Sequence, residues 1–193
     1  MKVQNSILLL LVLSTISLIG CKDDEVKPNQ LLLNTDVEEG NNDPDYWFKK
    51  QSSQSQHNWS TTEAYSGEKS LHINTETIDS LDFSHWAQII NSNIPVGKDV
   101  TLKAKIKSEL SGEGISLVIR GDDTEDPRDN DGLAEQFITT YGNTEITGNF
   151  DWKEYTLKLE NVESEIKSLT VFLIYLQNTT GGVYFDDITL TYD

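Results

Sequence analysis

Short runs in which apolar and polar residues alternate one by one recur from Ser70 to the end of the chain. Leu71 and Ile73 alternate with Ser70 and His72; Leu102, Ala104 and Ile106 with Lys103, Lys105 and Lys107; Tyr155, Leu157 and Leu159 with Thr156 and Lys158. A period of two predicts strands with one dry and one wet face. Ile115 to Arg120 and Leu169 to Gln177 are more continuously apolar, which predicts central strands covered on both sides. Ile188, Leu190 and Tyr192 predict a closing strand. Gly, Asn, Asp and Ser clusters separate these runs. Asn161 to Ser168 has helical composition but is brief and lacks an apolar stripe, and no segment repeats. Many short strands around one core predict an all-β fold, an antiparallel β-sandwich.

The first twenty residues break the pattern. Lys2 precedes an apolar run, Ile7 to Ile19, that leads into Leu18-Ile19-Gly20-Cys21, and Cys21 is the single cysteine of the chain. A charged start, a short apolar stretch and a small residue at the cut predict a secretory signal over 1–20, too short for a stable membrane span. The sequence around Cys21 resembles a bacterial lipobox. That resemblance implies cleavage before Cys21 and acylation of its thiol and new amine, with several acyl chains giving a durable anchor. Residues 21–30 then form an acidic tether and 31–193 one β-sandwich domain. Cys21-Lys22-Asp23-Asp24-Glu25 resembles the export signal of Bacteroidetes surface lipoproteins, which implies an outer-membrane location facing the exterior. A plain secretory peptide and a solvated linker are the alternatives. Asp79-Ser80-Leu81 resembles the short O-glycosylation site of the same phylum.

The formal charge of −17 becomes one unit more negative when Lys2 leaves with the signal. Such a field repels nucleic acid and anionic headgroups and favours solubility and cation binding. A single cysteine closes no intramolecular disulfide, so the fold rests on its core or on a metal. The longest irregular stretches are Asn41 to Gln56 and Gly121 to Leu133, and loops of that length are commonly functional or mobile. The second carries Asp122, Asp123, Glu125, Asp126, Asp129 and Asp131. Setting Gly132 at the EF-hand glycine puts Pro127 first and Ile138 twelfth, where the bidentate glutamate belongs, so an EF-hand is excluded. An improvised cation site or a solvated acidic loop remain. No Gly-x-Ser-x-Gly elbow, His-Glu-x-x-His, phosphate loop or dinucleotide fingerprint is present. His57, His72 and His85 are scattered and read as isolated histidines.

Three patches resemble carbohydrate-binding modules of the galactose-binding-like jelly-roll kind, the group of families four, nine and twenty-two. Asn34-Thr35-Asp36-Val37-Glu38-Glu39-Gly40 with Pro44 and Trp47 is similar to their opening; Ala64 to Ile73 to their Ser-Gly turn into a strand; and Gly182 to Leu190, with Phe185-Asp186-Asp187, to their close. Trp152, Tyr155 and Leu157 match a further strand, while Val37 stands where those modules carry an aromatic residue. The resemblance implies a jelly roll in which the opening and closing strands meet, with Trp47 and Trp152 as packing residues. It also implies a structural calcium held by Glu38 and Asp186. Calcium takes six to eight oxygens, and the turn Ser66-Gly67-Glu68-Lys69 is expected to offer carbonyls beside these acids. The alternative is that Asp186 accepts backbone amides and holds no ion.

Such modules stack sugars on aromatic rings and bond their hydroxyls with polar side chains. Trp86 and Gln88 share one parity on Ser84 to Asn91, Arg120 shares a face with Ser116 and Val118, and Tyr175 shares one with Gln177. If these faces coincide, Trp86, Gln88, Arg120, Tyr175 and Gln177 form a polar groove with aromatic walls. Trp59, in a polar loop, is a further rim candidate. The expected function is non-catalytic capture of a polysaccharide or oligosaccharide by a surface lipoprotein, beside glycan-degrading enzymes or transporter components. The alternatives are a structural or adhesion module for a protein partner and a weak glycoside hydrolase.

Overall fold

The computed structural model describes residues 29–78, 82–129 and 134–193. The signal, Cys21, most of the tether, Asp79-Ser80-Leu81 and Asp131 lie outside the described residues.

The described residues form an antiparallel β-sandwich of jelly-roll type. Its strands are β1 (Phe48–Lys50), β2 (Gln56–Ser60), β3 (Ser70–Thr75), β4 (Ser84–Ile90), β5 (Val100–Gly112), β6 (Ile115–Asp122), β7 (Gln136–Thr139), β8 (Asn149–Leu159), β9 (Ser168–Tyr175) and β10 (Thr179–Tyr192). The first sheet runs β1-β4-β9-β6-β7 and the second β2-β3-β10-β5-β8. Among the described residues the only helical turn is a 3-10 turn at Pro127–Asp129. Asn161 to Ser168 is a loop whose Val162 and Ile166 close over the core.

Alternation decides what each sheet turns inward. β3, β5 and β10 contribute Leu71, Ile73, Leu102, Ala104, Ile106, Val183 and Phe185, all with no exposed surface. From the first sheet Trp86, Leu117, Ile119, Leu169, Val171 and Leu173 meet them, also fully enclosed. Each such side chain contributes about 1.5–3 kcal/mol relative to exposure, so the core holds the fold without a disulfide.

The opening segment does run beside the last strand. Leu31 donates to the Leu190 carbonyl (2.8 Å) and Ile188 to that of Thr35 (2.8 Å), while Gln30 Oε1 accepts the amides of Leu31, Leu32 and Leu190. One irregularity interrupts β10: its register with β5 shifts between Asp186 and Thr189, and Asp187 lies in the left-handed region at φ 44°. This bulge lets Phe185 and Ile188, three residues apart, both face the core.

The central strands differ from expectation. β9 turns Thr170, Phe172 and Ile174 away from the core, level with Arg120, Val118 and Ser116 of β6. Phe172 and Ile174 are only half-buried. The apolar run there records an apolar outward face, not a second covering layer.

Candidate functional site

The outward face of the first sheet is assembled by register. Phe48, Ala87, Phe172, Val118 and Thr139 form one row across the five strands, and Lys50, His85, Ile174 and Ser116 the next. Phe83, just before β4, is 40% exposed; Phe137 of β7 and Tyr141 just after it are 57% and 58% exposed. Rings therefore flank the face on both sides, over a floor that includes buried Ala87, Ser116, Val118 and Thr170. Exposed rings in such number on one side of a small domain mark a surface built to cover something.

His85 sits among three of these rings. Its centroid is 5.0 Å from Phe172 in an edge contact and 6.2 Å from both Phe48 and Phe83. Burial lowers its pKa to about 4, with the Lys50 charge adding to the effect, so the ring is neutral at physiological pH. His85 Nδ1 and Thr170 Oγ1, both outward and buried, have no hydrogen-bond partner. Buried polar atoms in native proteins are nearly always paired. Both atoms lie below the accessible surface of the face, as the unpartnered His57 nitrogens lie within the core.

Two ion pairs border the site. Lys50 Nζ lies 3.0 Å from Asp82 and 4.5 Å from the Phe83 ring centroid. Arg120 reaches both oxygens of Asp122 with Nε (2.9 and 3.0 Å) and one with Nη2 (2.6 Å). Asp122 is fully buried and Arg120 half-buried.

At the opposite corner, the turn Tyr65 to Lys69 meets the two carboxylates expected to hold calcium. Asp186 Oδ2 accepts the amides of Tyr65 (2.7 Å) and Ser66 (3.0 Å), and its Oδ1 accepts that of Asp187 (2.7 Å). Glu38 Oε1 accepts the amides of Glu68 (2.8 Å) and Lys69 (2.7 Å). Gly67 takes φ 62° here, and a β-carbon on it would strike the Glu38 carboxylate. Burial raises the Asp186 pKa to about 6, against the three amides, which pull it down. The turn thus presents N–H groups to these acids rather than the carbonyls the sequence suggested. A calcium ion takes six to eight oxygens, and no group of three or more His, Cys, Asp or Glu suited to a metal occurs among the described residues. Glu38 Oε1 and both Asp186 carboxylate oxygens are engaged by backbone amides. Asp186 and Glu38 tie the opening, the turn and the last strand together.

The five residues expected to form one groove do not share a face. Trp86 is fully buried and points between the sheets, its Nε1 donating to the His72 carbonyl (3.3 Å). Gln88 also points inward: its Oε1 accepts the Leu33 amide (2.8 Å) and its Nε2 donates to the Leu33 carbonyl (3.0 Å). Tyr175 is buried, donates to the Gly181 carbonyl (2.9 Å), and burial pushes its phenol pKa up. Gln177 lies past the end of β9 in the turn to β10. Arg120 alone of the five faces outward from the first sheet. The parity pairing of Trp86 with Gln88 was right, but the parity is the core's, because an indole this large gains more from enclosure. Trp47 is buried as framework, with Nε1 on the Asn34 carbonyl (3.1 Å). Trp152 is half-buried against Tyr65, ring centroids 5.9 Å apart. Trp59 is held by the Val37 carbonyl (2.6 Å) and lies under the Lys69 ammonium, 3.5 Å from its ring centroid. Sequence reasoning missed Phe48, Phe83, Phe137, Tyr141 and Phe172, and read His85 as an isolated surface residue. Phe172 and Ile174 carried a signal, being apolar on the parity opposite Val171 and Leu173; the others had none.

No family model and no curated protein matches the chain. Solved structures do. A cyclase from Fischerella sp. TAU, seen with an indole compound, aligns with TM-score 0.61 at 15% identity over 86% of this chain and 98% of its own. The carbohydrate-binding module TmCBM61, in complex with beta-1,4-galactotriose, aligns with TM-score 0.52 at 15% identity, over 86% and 99%. The enzymatically active domain of bacteriophage CBA120 tailspike protein 4 aligns with TM-score 0.60 at 12% identity, and the chain spans only 22% of its length. At such identities the likeness concerns the fold.

Proposed function

We propose that this protein is a non-catalytic glycan-binding lipoprotein that lays a polysaccharide or oligosaccharide on the outward face of its first sheet. The observation that carries this reading is the set of exposed rings, Phe83, Phe137 and Tyr141, that flank the apolar outward face of the first sheet. Sugar rings offer apolar C–H faces to aromatic rings, so this arrangement suits them. The fold shared with a module seen with beta-1,4-galactotriose supports the same conclusion. In this reading the signal delivers the chain for lipid attachment at Cys21, and the acidic tether carries it to the outer membrane's exterior, where captured glycan reaches hydrolases or transporters.

Affinity gels containing beta-1,4-galactan, xylan and a broader panel of glycans test the binding. At least one should retard the protein, with retardation lost in Phe83→Ala and Phe137→Ala while their melting curves stay close to wild type. Retardation by none of the panel refutes the reading. Labelling with a radioactive fatty acid, expected for wild type and absent in Cys21→Ala, tests the anchor.

A further inference from the structure

We propose that the outward face of the first sheet is selective for uncharged glycans and rejects polymers carrying uronate or sulfate. The inference rests on the glycan-binding reading above. A surface that captures anions presents cations whose charge is still available. Among the described residues of these strands, the outward positions hold two cations, Lys50 and Arg120, and each is already matched. Lys50 is engaged by Asp82 at 3.0 Å. Arg120 is clamped on Asp122 through Nε and Nη2. Since Asp122 has no exposed surface, moving Arg120 to a ligand anion would break the bidentate pairing of a buried carboxylate, a destabilising change.

The surroundings act in the same direction. Beyond Asp122 the chain continues through Asp123, Glu125 and Asp126, where Arg128 is held by Asp126 (2.7 Å). The formal charge of −17 opposes approach of any polyanion. What the face exposes to a ligand is neutral: the rings of Phe83, Phe137 and Tyr141 over a floor of Ala87, Val118 and Phe172. A carboxylate or sulfate would lose water here without a counter-charge.

Matched polymers separate the possibilities: beta-1,4-galactan against a sulfated galactan, and unsubstituted xylan against glucuronoxylan and polygalacturonate, each at low and high sodium chloride. The expected result is retardation by a neutral polymer that salt does not change, with its acidic counterpart at least tenfold weaker. Asp82→Asn, which releases Lys50 at the surface, should gain salt-sensitive retardation by polygalacturonate. Acidic polymers binding wild type as well as neutral ones, or no gain in Asp82→Asn, overturns the charge argument while leaving glycan binding intact. Retardation by no polymer removes the glycan reading itself, and this inference with it.

Discussion

The two outward faces of the sandwich grow from the same alternation and end in opposite chemistry. On the second sheet the outward positions include lysines paired with nearby acids, Lys103 and Lys105 with Glu154 (3.7 and 3.3 Å), Lys107 with Glu63 (2.9 Å) and Lys158 with Asp99 (2.7 Å), beside a stacked His72–Tyr184 pair (centroids 4.2 Å apart). These contacts are solvated and modest in energy. On the first sheet the corresponding positions carry Ala87, Phe172, Ile174 and Val118, flanked by exposed rings and with two polar atoms unpaired. A sheet face with paired charges needs only water to complete it. The rings and apolar side chains of the first face favour it over the second as the proposed glycan surface.

The strongest disturbance should come from the side of the first sheet that faces inward. Trp86→Ala opens the core and should cost about 3–5 kcal/mol in urea unfolding; any loss of glycan retardation in this variant should follow the unfolded fraction, in contrast to Phe83→Ala. Next is the corner where the opening segment, the Tyr65 to Lys69 turn and β10 meet. Asp186→Ala strands three amides and should cost on the order of 3 kcal/mol, while chelator should leave the wild-type melting curve unchanged. A chelator-dependent fall in melting temperature restored by calcium would place an ion at Glu38 and Asp186 after all.

Acid probes the buried histidines. Burial, aided by Lys49, lowers His57 to about 4, as burial does for His85. Their unfolded pKa is near 6.5, so the unfolded chain takes up protons that the native state refuses. Their contribution is complete above pH 6.5 and is lost as pH falls toward 4 and below. Asp186 has the opposite sign: its native value of about 6 exceeds the ordinary 3.8, so the stability it gives is present below that value and is lost as pH rises through 6. Wild type should therefore lose stability between pH 6.5 and 4, with two histidines outweighing one aspartate. His57→Phe should flatten that loss by up to about 1.4 kcal/mol per pH unit, read from unfolding curves at successive pH values.

The smallest stability effects carry the sharpest contrast between the faces. Glu154→Gln on the second sheet and Phe137→Ala on the first should each change stability by no more than about 0.5 kcal/mol. Only Phe137→Ala should weaken glycan retardation, by roughly fivefold or more, as expected for loss of a contact residue. Equal binding by both variants would erase the distinction drawn here.

Much of the framework could be read from residues alone. Leu71 with Ile73, and Leu102, Ala104 and Ile106, lie on the dry face their alternation predicted, and Trp47 packs as framework. The closing strand lies beside the opening segment as the matched patches implied. Asp186 shares the parity of Ile188 and Leu190 in the sequence, and it is buried, but through a bulge at Asp187 that alternation alone does not contain. The binding face was less legible. Parity says which residues travel together, and it paired Trp86 with Gln88 correctly, yet it carries no sign for inside or outside when both faces of a strand are partly apolar.

By itself the sequence determined the strand pattern, the sandwich and the acidic surface, because each follows from local alternation and from counting charges. The parity of Asp186 with Ile188 and Leu190 also put that carboxylate inward, where it needs partners. Only the tertiary structure decided that those partners are amides, that Trp86 is core, and that Phe83, Phe137 and Tyr141 frame one face. These depend on register between strands far apart in the chain and on which side of each sheet meets the other, and neither is encoded in any single segment.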